Sequence, residues 1–194
     1  MKITKDQLKC WKACQDGYGW FLRRFPDGEA EYQDVLNALA EDDRPADAAW
    51  LMNHAGPDRE SVLEVEVIAD CKHFFASGRL VIKTSATVAG QLTAGDGIEA
   101  GEGINAGEGI KAGTYIEAGT CINAGDGIKA GWGIKAGEGI KAGLGIEAGE
   151  GIEAGGGFGV FAGLRLQLAD WPINARVIAN VKPDNLVSGS WANQ

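Results

Sequence analysis

The sequence predicts an α+β protein in which a small N-terminal helical domain is followed by a Gly-rich parallel β-helix, or β-solenoid, with a C-terminal β cap. Three observations predict this fold. Isoleucine recurs every six residues from Ile98 to Ile152, amphipathic helical patterns fill the first 57 residues, and strand-like apolar runs follow residue 157. A fixed short period is typical of solenoids, in which each repeat buries its apolar side chains by stacking on its neighbours.

Each six-residue unit has the composition of one short strand and one corner. Each of the ten isoleucines at this period is followed by a variable residue, alanine and glycine, and eight are preceded by glycine. Side chains alternate across a strand, so isoleucine and the alanine two positions later share the inner face. A helix is excluded, because glycine at two of every six positions would cost about 1 kcal/mol each. The residue between isoleucine and alanine points outward and is polar in all ten units: Glu99, Asn105, Lys111, Glu117, Asn123, Lys129, Lys135, Lys141, Glu147 and Glu153.

These outward residues predict three units per coil. In the first six units they follow the order Glu, Asn, Lys twice, so Glu99 matches Glu117 and Asn105 matches Asn123 at a separation of eighteen residues. Three units per triangular coil stack like residues on each other, whereas two units would place Glu99 beside Lys111. We expect the glycine after each alanine to turn the corner by adopting a positive φ.

Residues 1–60 form the predicted helical leader domain. Apolar residues recur there at helical spacing, and Thr4 precedes the first such segment as a candidate N-cap. The aromatic side chains of this domain predict a small core or, alternatively, a partner-binding face. The expected helices are Lys5–Ala13, Gly17–Arg24, Glu29–Glu41 and Ala46–His54.

Residues 61–157 form the predicted solenoid, and residues 158–194 form the predicted C-terminal β cap or oligomerisation segment. Residues 62–88 are expected to begin the solenoid, with a slip of the six-residue period between Val88 and Leu92. The repeat ends at Gly155-Gly156-Gly157. The end of a solenoid exposes open strand edges, so we expect these last residues to cap the coil or to form a homo-oligomer interface. The expected C-terminal strands are Phe158–Leu168, Ala175–Val181 and Leu186–Trp191, with an interruption at Trp171-Pro172.

The charge of the chain favours protein partners over nucleic acid. The 194 residues carry a formal net charge of −9, and residues 89–157 contribute four basic and ten acidic side chains, a net −6. Direct nucleic-acid binding needs cations against phosphate, so we expect none. An acidic surface is instead suited to a basic site on another protein. The sequence shows no secretory signal and no apolar run of about 20 residues, which predicts a cytoplasmic protein without membrane contact, in the host cytoplasm if a phage encodes it.

The Ile-x-Ala-Gly-x-Gly array from Leu92 to Gly157 resembles the hexapeptide-repeat parallel β-helix. That family places a small residue two positions before the aliphatic one, and this sequence departs from the pattern by placing mostly acidic residues there. Acidic groups cannot line a narrow core unpaired, so we expect them to face outward at the turns. We call these ten positions the corner residues: Asp96, Glu102, Glu108, Thr114, Thr120, Asp126, Trp132, Glu138, Leu144 and Glu150.

The N-terminal domain carries a second resemblance. The phrase Ala13-Cys14-x-x-Gly17-x-x-Trp20-Phe21, followed by Phe25-Pro26-Asp27-Gly28, is similar to a short helical leader of uncharacterised phage and prophage proteins. The Ile-x-Ala-Gly-x-Gly array is also similar to repeats in such proteins. This resemblance implies a phage or mobile-element origin and brings no catalytic residues with it.

The sequence predicts no catalytic residues, no cofactor and no metal site. Hexapeptide-type acyltransferases place a catalytic histidine between subunits, but neither His54 nor His73 lies in the repeat. The four cysteines and two histidines are not spaced as a set of four zinc ligands, so we expect reduced structural thiols. Gly-x-Gly recurs without the strand-loop-helix setting of a phosphate site.

The corner residues supply the candidate partner-binding site. Exposed aromatic residues surrounded by charge are frequent interface anchors, which favours Trp132 and Leu144. Alternatively, these two side chains pack on the helical leader, the cap or a second subunit, and the acidic residues only keep the coil soluble. The acidic candidates are Glu102, Glu108, Asp126, Glu138 and Glu150.

These observations predict a non-enzymatic binding protein of phage or mobile-element origin. It would inhibit a host protein, such as a member of a nucleic-acid-binding complex, by contact through an acidic β-helix. The expected target is a defence component, blocked in the manner of an anti-CRISPR protein or a DNA mimic. A structural scaffold or virion β-helix protein and a hexapeptide-type acyltransferase are the alternatives.

Overall fold

A short helical region followed by a parallel β-solenoid of about seven turns is seen in the computed structural model, which describes residues 1–155 and 157–193. The expected α+β class and the order of its two parts are confirmed. Gly156 and Gln194, which the sequence analysis placed at the end of the repeat and in the cap, lie outside the described residues. Among the described residues, no helix combines the length and apolar character needed to cross a membrane.

Four helices and a small sheet form the N-terminal region. Thr4 caps the first helix as predicted, because its hydroxyl accepts the Gln7 N–H at 3.3 Å while Gln7 Oε1 accepts the Thr4 N–H at 2.8 Å. The strands β1 (Lys2–Thr4) and β2 (Glu29–Glu31) pair antiparallel. The helices are α1 (Lys5–Cys10), α2 (Gln15–Arg24), α3 (Tyr32–Glu41) and α4 (Pro45–Ala55).

Two predicted helix boundaries in this region are wrong by three residues each, and the others differ by two residues or fewer. α1 ends at Cys10 and not at Ala13, and Lys12 just beyond it has a left-handed φ of 61°. α3 begins at Tyr32 and not at Glu29, because residues 29–31 pair with β1. A three-residue strand is too short to show a period of two, so the sequence pattern did not separate it from the following helix.

Three parallel sheets form the solenoid, and consecutive strands along the chain belong to different sheets. The first sheet contains β3 (Val62–Val65), β6 (Arg79–Ile82), β9 (Ile98–Ala100), β12 (Ile116–Ala118), β15 (Gly133–Ala136) and β18 (Gly151–Ala154). The second contains β4 (Ile68–Cys71), β7 (Ala86–Val88), β10 (Ile104–Ala106), β13 (Cys121–Ala124), β16 (Gly139–Ala142), β19 (Gly159–Phe161) and β21 (Leu186–Ser188). The third contains β5 (Phe74–Ala76), β8 (Leu92–Ala94), β11 (Ile110–Ala112), β14 (Ile128–Ala130), β17 (Ile146–Ala148), β20 (Arg176–Ile178) and β22 (Ser190–Ala192).

The strand register confirms three units per coil. Asn105 pairs with Asn123 and Lys111 with Lys129, each at a separation of eighteen residues. All ten isoleucines of the repeat are buried, with 4% or less of each exposed. The residues between isoleucine and alanine are exposed or half-buried in every unit. The interior therefore consists of stacked isoleucine and alanine side chains, and the polar residues form the outer faces.

The predicted slip of the period between Val88 and Leu92 is wrong. Leu80, Ala86, Leu92 and Ile98 are each six residues apart and occupy equivalent inward positions. In β7 the larger side chain, Val88, sits in the usual alanine position, and Ala86 sits in the usual isoleucine position. The large and the small inward residue of this strand are therefore in the reverse order, so a search for large apolar residues every six positions does not detect the period here.

The reason for the glycine after each alanine also differs from the prediction. Among the described residues, none of the glycines from Gly95 to Gly155 has a positive φ. A Cβ at Gly131 would instead lie 2.1 Å from the carbonyl oxygen of Gly113, one coil below. The glycine is therefore required because adjacent coils approach each other closely at the corners.

The C-terminal residues extend two of the three sheets. The predicted strand Phe158–Leu168 is limited to β19, because Gly163 turns the chain with a φ of 78°. A 3-10 helix (Leu168–Asp170) and α5 (Trp171–Asn174) follow, so the expected interruption at Trp171-Pro172 is confirmed. The strands β20, β21 and β22 then continue the second and third sheets, and the capping or oligomerising role of this segment stays a prediction.

The helical region is joined to the solenoid through α3 and β5. Phe75 points outward from β5 and lies in the helical core with only 3% exposed. The Gln33 side chain donates to the Phe75 carbonyl oxygen at 2.7 Å and accepts the Ser77 N–H at 2.8 Å. One amide side chain thus satisfies two backbone groups at the junction. The helical core contains Ile3, Leu8, Trp20, Phe21, Tyr32, Val35, Leu36, Ala38, Leu39, Ala48, Leu51 and Phe75.

We expect Gln33→Ala to reduce the free energy of unfolding by about 2 kcal/mol, because it leaves two backbone groups at the junction without partners. Asn37→Ala is the matched control, since Asn37 is exposed and bonds only to Gln33. Urea unfolding followed by circular dichroism measures both. Equal losses in the two variants would contradict the role of Gln33 in joining the two parts.

Candidate acidic interface

The corner residues lie on three separate edges of the triangular solenoid. Backbone hydrogen bonds between successive coils connect each edge; for example, the Trp132 N–H donates to the Thr114 carbonyl oxygen at 2.7 Å. None of the ten corner residues is buried, which confirms that they face outward. The first edge, between the first and second sheets, holds Glu102, Thr120 and Glu138; the second edge, between the second and third sheets, holds Glu108, Asp126 and Leu144; the third edge, between the third and first sheets, holds Asp96, Thr114, Trp132 and Glu150.

The coil therefore divides the seven candidate partner-binding residues into two groups. Glu102, Glu138, Trp132 and Glu150 border the outer surface of the first sheet from its two sides. Glu108, Asp126 and Leu144 lie on the opposite edge, away from that surface. The sequence placed all seven in one class because they share a position in the repeat, whereas the three-sided coil sends successive corners in different directions.

The first sheet and its two bordering edges form one acidic surface, which we call the acidic face. It carries nine carboxylates and three cations, a net charge of −6. By contrast, the outward positions from β7 to β17 in the other two sheets carry three lysines and one glutamate. The charged residues of the acidic face are Glu64, Glu66, Asp96, Glu99, Glu102, Glu117, Glu138, Glu150 and Glu153 with Arg79, Lys83 and Lys135.

Sequence reasoning missed the outward glutamates of the repeat on this face as partner-binding candidates. Glu99, Glu117 and Glu153 occupy the outward position of β9, β12 and β18. The separation of eighteen residues was the signal that would have found them, because it places residues 99, 117, 135 and 153 in one column. Adding the two bordering edges to that column defines the whole face.

Only part of the negative charge is neutralised within the chain. Both carboxylate oxygens of Glu99 accept from Arg79 Nη2 at 2.6 Å, and the Tyr115 hydroxyl also donates to Glu99. Lys83 lies 3.4 Å from Glu66. Within the described part of the chain, Glu102, Glu117, Glu150 and Glu153 form no ion pair. These four carboxylates remain open to an external cation.

Glu99, Arg79 and Tyr115 form a hydrogen-bonded group on the acidic face, which we call the Glu99 cluster. Burial acts to raise the pKa of Glu99, but the hydrogen bonds from Arg79 and Tyr115 outweigh it and hold the pKa below its usual value. Burial and the bond to Glu99 raise the pKa of Tyr115 to about 12. The cluster is therefore stable around neutral pH with Glu99 ionised and Tyr115 protonated.

We expect the Glu99 cluster to make the fold sensitive to acid. A carboxyl group whose pKa is lowered in the folded state stabilises the fold at pH values above its unfolded pKa, so this contribution should be lost progressively as pH falls below about 5. Glu99→Gln should reduce this dependence, whereas Glu117→Gln, a matched outward glutamate one coil away, should retain the wild-type dependence. Urea midpoints across this pH range provide the measurement, and identical slopes in both variants would contradict the assignment.

The two histidines lie outside the acidic face and are engaged by protein groups. His73 is buried, its Nδ1 accepts the Gln91 N–H at 3.0 Å, and its Nε2 therefore donates to Asp43 at 2.9 Å. Hydrogen bonds from Lys72 and His73 lower the pKa of Asp43. His54 Nδ1 lies 2.8 Å from the Trp50 carbonyl oxygen, and its ring lies against the Trp50 ring.

The cysteine and acidic side chains of the described residues do not form a cation-binding cluster. All four cysteines are free, and Cys121 Sγ donates to Glu138 at 3.4 Å. Across residues 1–155 and 157–193, no group of three or more His, Cys, Asp or Glu side chains is arranged to hold a metal ion.

Comparison with known proteins gives one partial match. Residues 1–55 match the family described as the YdhT N-terminal domain. This segment ends with α4, so the match covers the helical region and none of the solenoid. No curated protein and no solved structure matches the chain.

Proposed function

We propose that this chain is a non-catalytic binding protein that places its acidic face against a cationic surface of a protein partner. A β-solenoid is suited to a protein-contact or scaffold role, because stacked strands present flat, preformed faces. The observation that carries the proposal is the concentration of nine carboxylates on one of three faces, seven of them without an ion pair to the residues that the structure describes. A preformed face loses little conformational entropy on binding.

We expect the acidic face to compete with nucleic acid for part of a cationic site on the partner protein, although its charge density is lower than that of DNA. Six strands spaced by ~4.8 Å span ~24 Å, so a net −6 gives one charge per ~4 Å, compared with ~1.7 Å along duplex DNA. Electrostatic attraction alone would therefore bind the acidic face to a cationic site more weakly than it binds DNA. Trp132 is 60% exposed on the third edge and offers the apolar contact that an interface anchor provides.

The proposed partner is a host defence factor, and the proposed setting is the cytoplasm of a cell that harbours a phage or mobile element. The resemblance of the leader and the repeat to phage proteins motivates this part of the proposal. The acidic face excludes the phosphate backbone, so the chain would act on the protein and not on the nucleic acid. No cofactor or metal takes part.

Affinity capture from host lysate at low salt tests the proposal when it is done with charge-matched variants. Glu117→Gln/Glu153→Gln removes two unpaired carboxylates from the acidic face, and Glu108→Gln/Asp126→Asn removes two carboxylates from the second edge, one of which pairs with Arg165. We expect wild type and the second-edge variant to retain a partner that duplex DNA displaces, and the acidic-face variant to lose it. A partner retained equally by all three proteins, or no partner at all, would overturn the proposal.

A scaffold role is the second candidate, and the C-terminal end of the solenoid favours it. The strands β18, β21 and β22 end the three sheets, and Val187 and Trp191 beside these edges are 61% and 38% exposed. Open edges and apolar side chains invite stacking of a second copy into a homo-oligomer. Sedimentation separates the two candidates, because a small discrete oligomer is compatible with the binding role and excludes long assemblies.

A further inference from the structure

The outer side of the third sheet forms a groove that is separate from the acidic face. The helical region lies against this sheet at β5, and α5 lies beside β20 at the other end, so the strands between them form an open floor. The groove has a volume of about 550 Å³. Its two walls are apolar: Ala49 and Met52 on the helical side, and Leu144, Ile173 and Ile178 on the C-terminal side.

The floor of the groove is cationic in a chain of net charge −9. Lys111, Lys129 and Arg176 line it with a single carboxylate, Glu147. Lys129 is held by Glu147 at 2.7 Å, whereas Lys111 and Arg176 are exposed and form no ion pair with the residues that the structure describes. Two unpaired cations between two apolar walls complement a partner with both acidic and apolar side chains.

The width of the groove matches a single helix. Thr93, Lys111, Lys129 and Glu147 are outward residues of four consecutive strands of the third sheet. At ~4.8 Å per strand they span ~14 Å, and an α-helix with its side chains is ~10–12 Å in diameter. Ile173 at the C-terminal wall is 76% exposed, which leaves apolar surface for such a helix to cover.

We propose that this groove binds an acidic amphipathic helix of a protein partner. The apolar stripe of that helix contacts Met52, Leu144 and Ile173, and its carboxylates pair with Lys111 and Arg176. This mode places an apolar helix face in a groove and uses charge to set its orientation. The inference does not rest on the acidic face, which recognises the opposite charge.

Two labelled peptides of about 18 residues test the proposal on the full chain, since helices of this length can be formed in water. Both carry leucine at helical spacing; one is flanked by glutamate and the other by lysine. Fluorescence anisotropy should show saturable binding of the glutamate peptide, weakened about tenfold or more by Lys111→Glu/Arg176→Glu. Ile173→Ser should also weaken it, and binding should decline between about 50 and 300 mM salt.

Matched controls make the outcome decisive. Lys135→Glu/Lys141→Glu makes the same change in net charge at exposed or half-buried outward positions of the other two sheets, and it should leave binding of the glutamate peptide unchanged. The lysine peptide reports on the acidic face, so Lys111→Glu/Arg176→Glu should not weaken its binding. Absence of saturable binding by the glutamate peptide, or equal loss in both double variants, would overturn the proposal. A concentration-dependent dimer abolished only by Lys111→Glu/Arg176→Glu would also overturn it, by showing that a second copy occupies the groove.

Discussion

Replacing Gly131 with alanine is expected to lower the free energy of unfolding by about 3 kcal/mol, which is a fall in Tm of roughly 6–12 °C for a chain of this size. The added Cβ would lie 2.1 Å from the Gly113 carbonyl oxygen, so the backbone of two adjacent coils has to separate. The clash involves backbone, which side-chain rotation cannot relieve. Thermal and urea unfolding followed by circular dichroism measure the loss.

The matched control is Gly133→Ala, on the other side of Trp132. A Cβ there would lie 3.6 Å from the Gly151 carbonyl oxygen, an ordinary van der Waals contact. Gly133 does not have a positive φ, so alanine should fit there without strain. It should leave the free energy of unfolding unchanged or raise it by up to about 1 kcal/mol, because it reduces the conformational entropy of the unfolded chain. Equal destabilisation by the two substitutions would show that close approach of the coils is not what requires glycine after alanine.

Replacing Ile104 with lysine is expected to reduce the free energy of unfolding by about 5 kcal/mol or more, because it buries an unpaired charge. Ile104 is fully buried and pairs in register with Ile122 in the next coil and Ala86 in the previous one. Among the residues that the structure describes, no acidic group lies in the isoleucine and alanine interior to pair with the ammonium group. Loss of the strand signal in far-UV circular dichroism is the expected observation.

Asn105→Lys, one residue further, provides the comparison. Asn105 is exposed, and the substitution removes only the side-chain hydrogen bond that Asn123 donates at 2.8 Å. The free energy of unfolding should therefore fall by less than about 1 kcal/mol. A large difference between substitutions at neighbouring residues follows from the alternation of side chains across a strand. If Asn105→Lys were as damaging as Ile104→Lys, the assignment of inner and outer positions would be wrong.

The interior of the solenoid was predictable from sequence because its physics is local. A branched residue every six positions, with alanine two residues later, specifies the strand and its inner face, and the outward residues that match at a separation of eighteen specify the coil of three units. The exchange between Ala86 and Val88 was missed, because the larger residue then occupies the alanine position and interrupts the six-residue pattern of large apolar residues. The strands β1 and β2 were missed because pairing between Lys2–Thr4 and Glu29–Glu31 is not local in sequence.

The candidate interface was only partly predictable. The corner residues were correctly placed outside the core, but the direction of each corner depends on the closure of the coil. Glu102 and Glu150 consequently border the same acidic face, while Asp126 lies on another edge beside Arg165 at 3.4 Å. The groove on the third sheet was not predictable, because its walls combine α4, the corner residue Leu144 and residues after Leu168, which are distant in sequence.

The distance between spin labels on two outward residues shows whether eighteen residues complete one coil of the solenoid. The four natural cysteines are replaced by serine, and labels are attached to Asn105→Cys/Asn123→Cys or to Asn105→Cys/Glu117→Cys. The register places residues 105 and 123 on adjacent strands ~4.8 Å apart, whereas residues 105 and 117 lie on different sheets. Strong spin–spin broadening in the first pair and not in the second is the predicted result. Broadening in the second pair without broadening in the first would indicate a coil of twelve residues and would contradict the account.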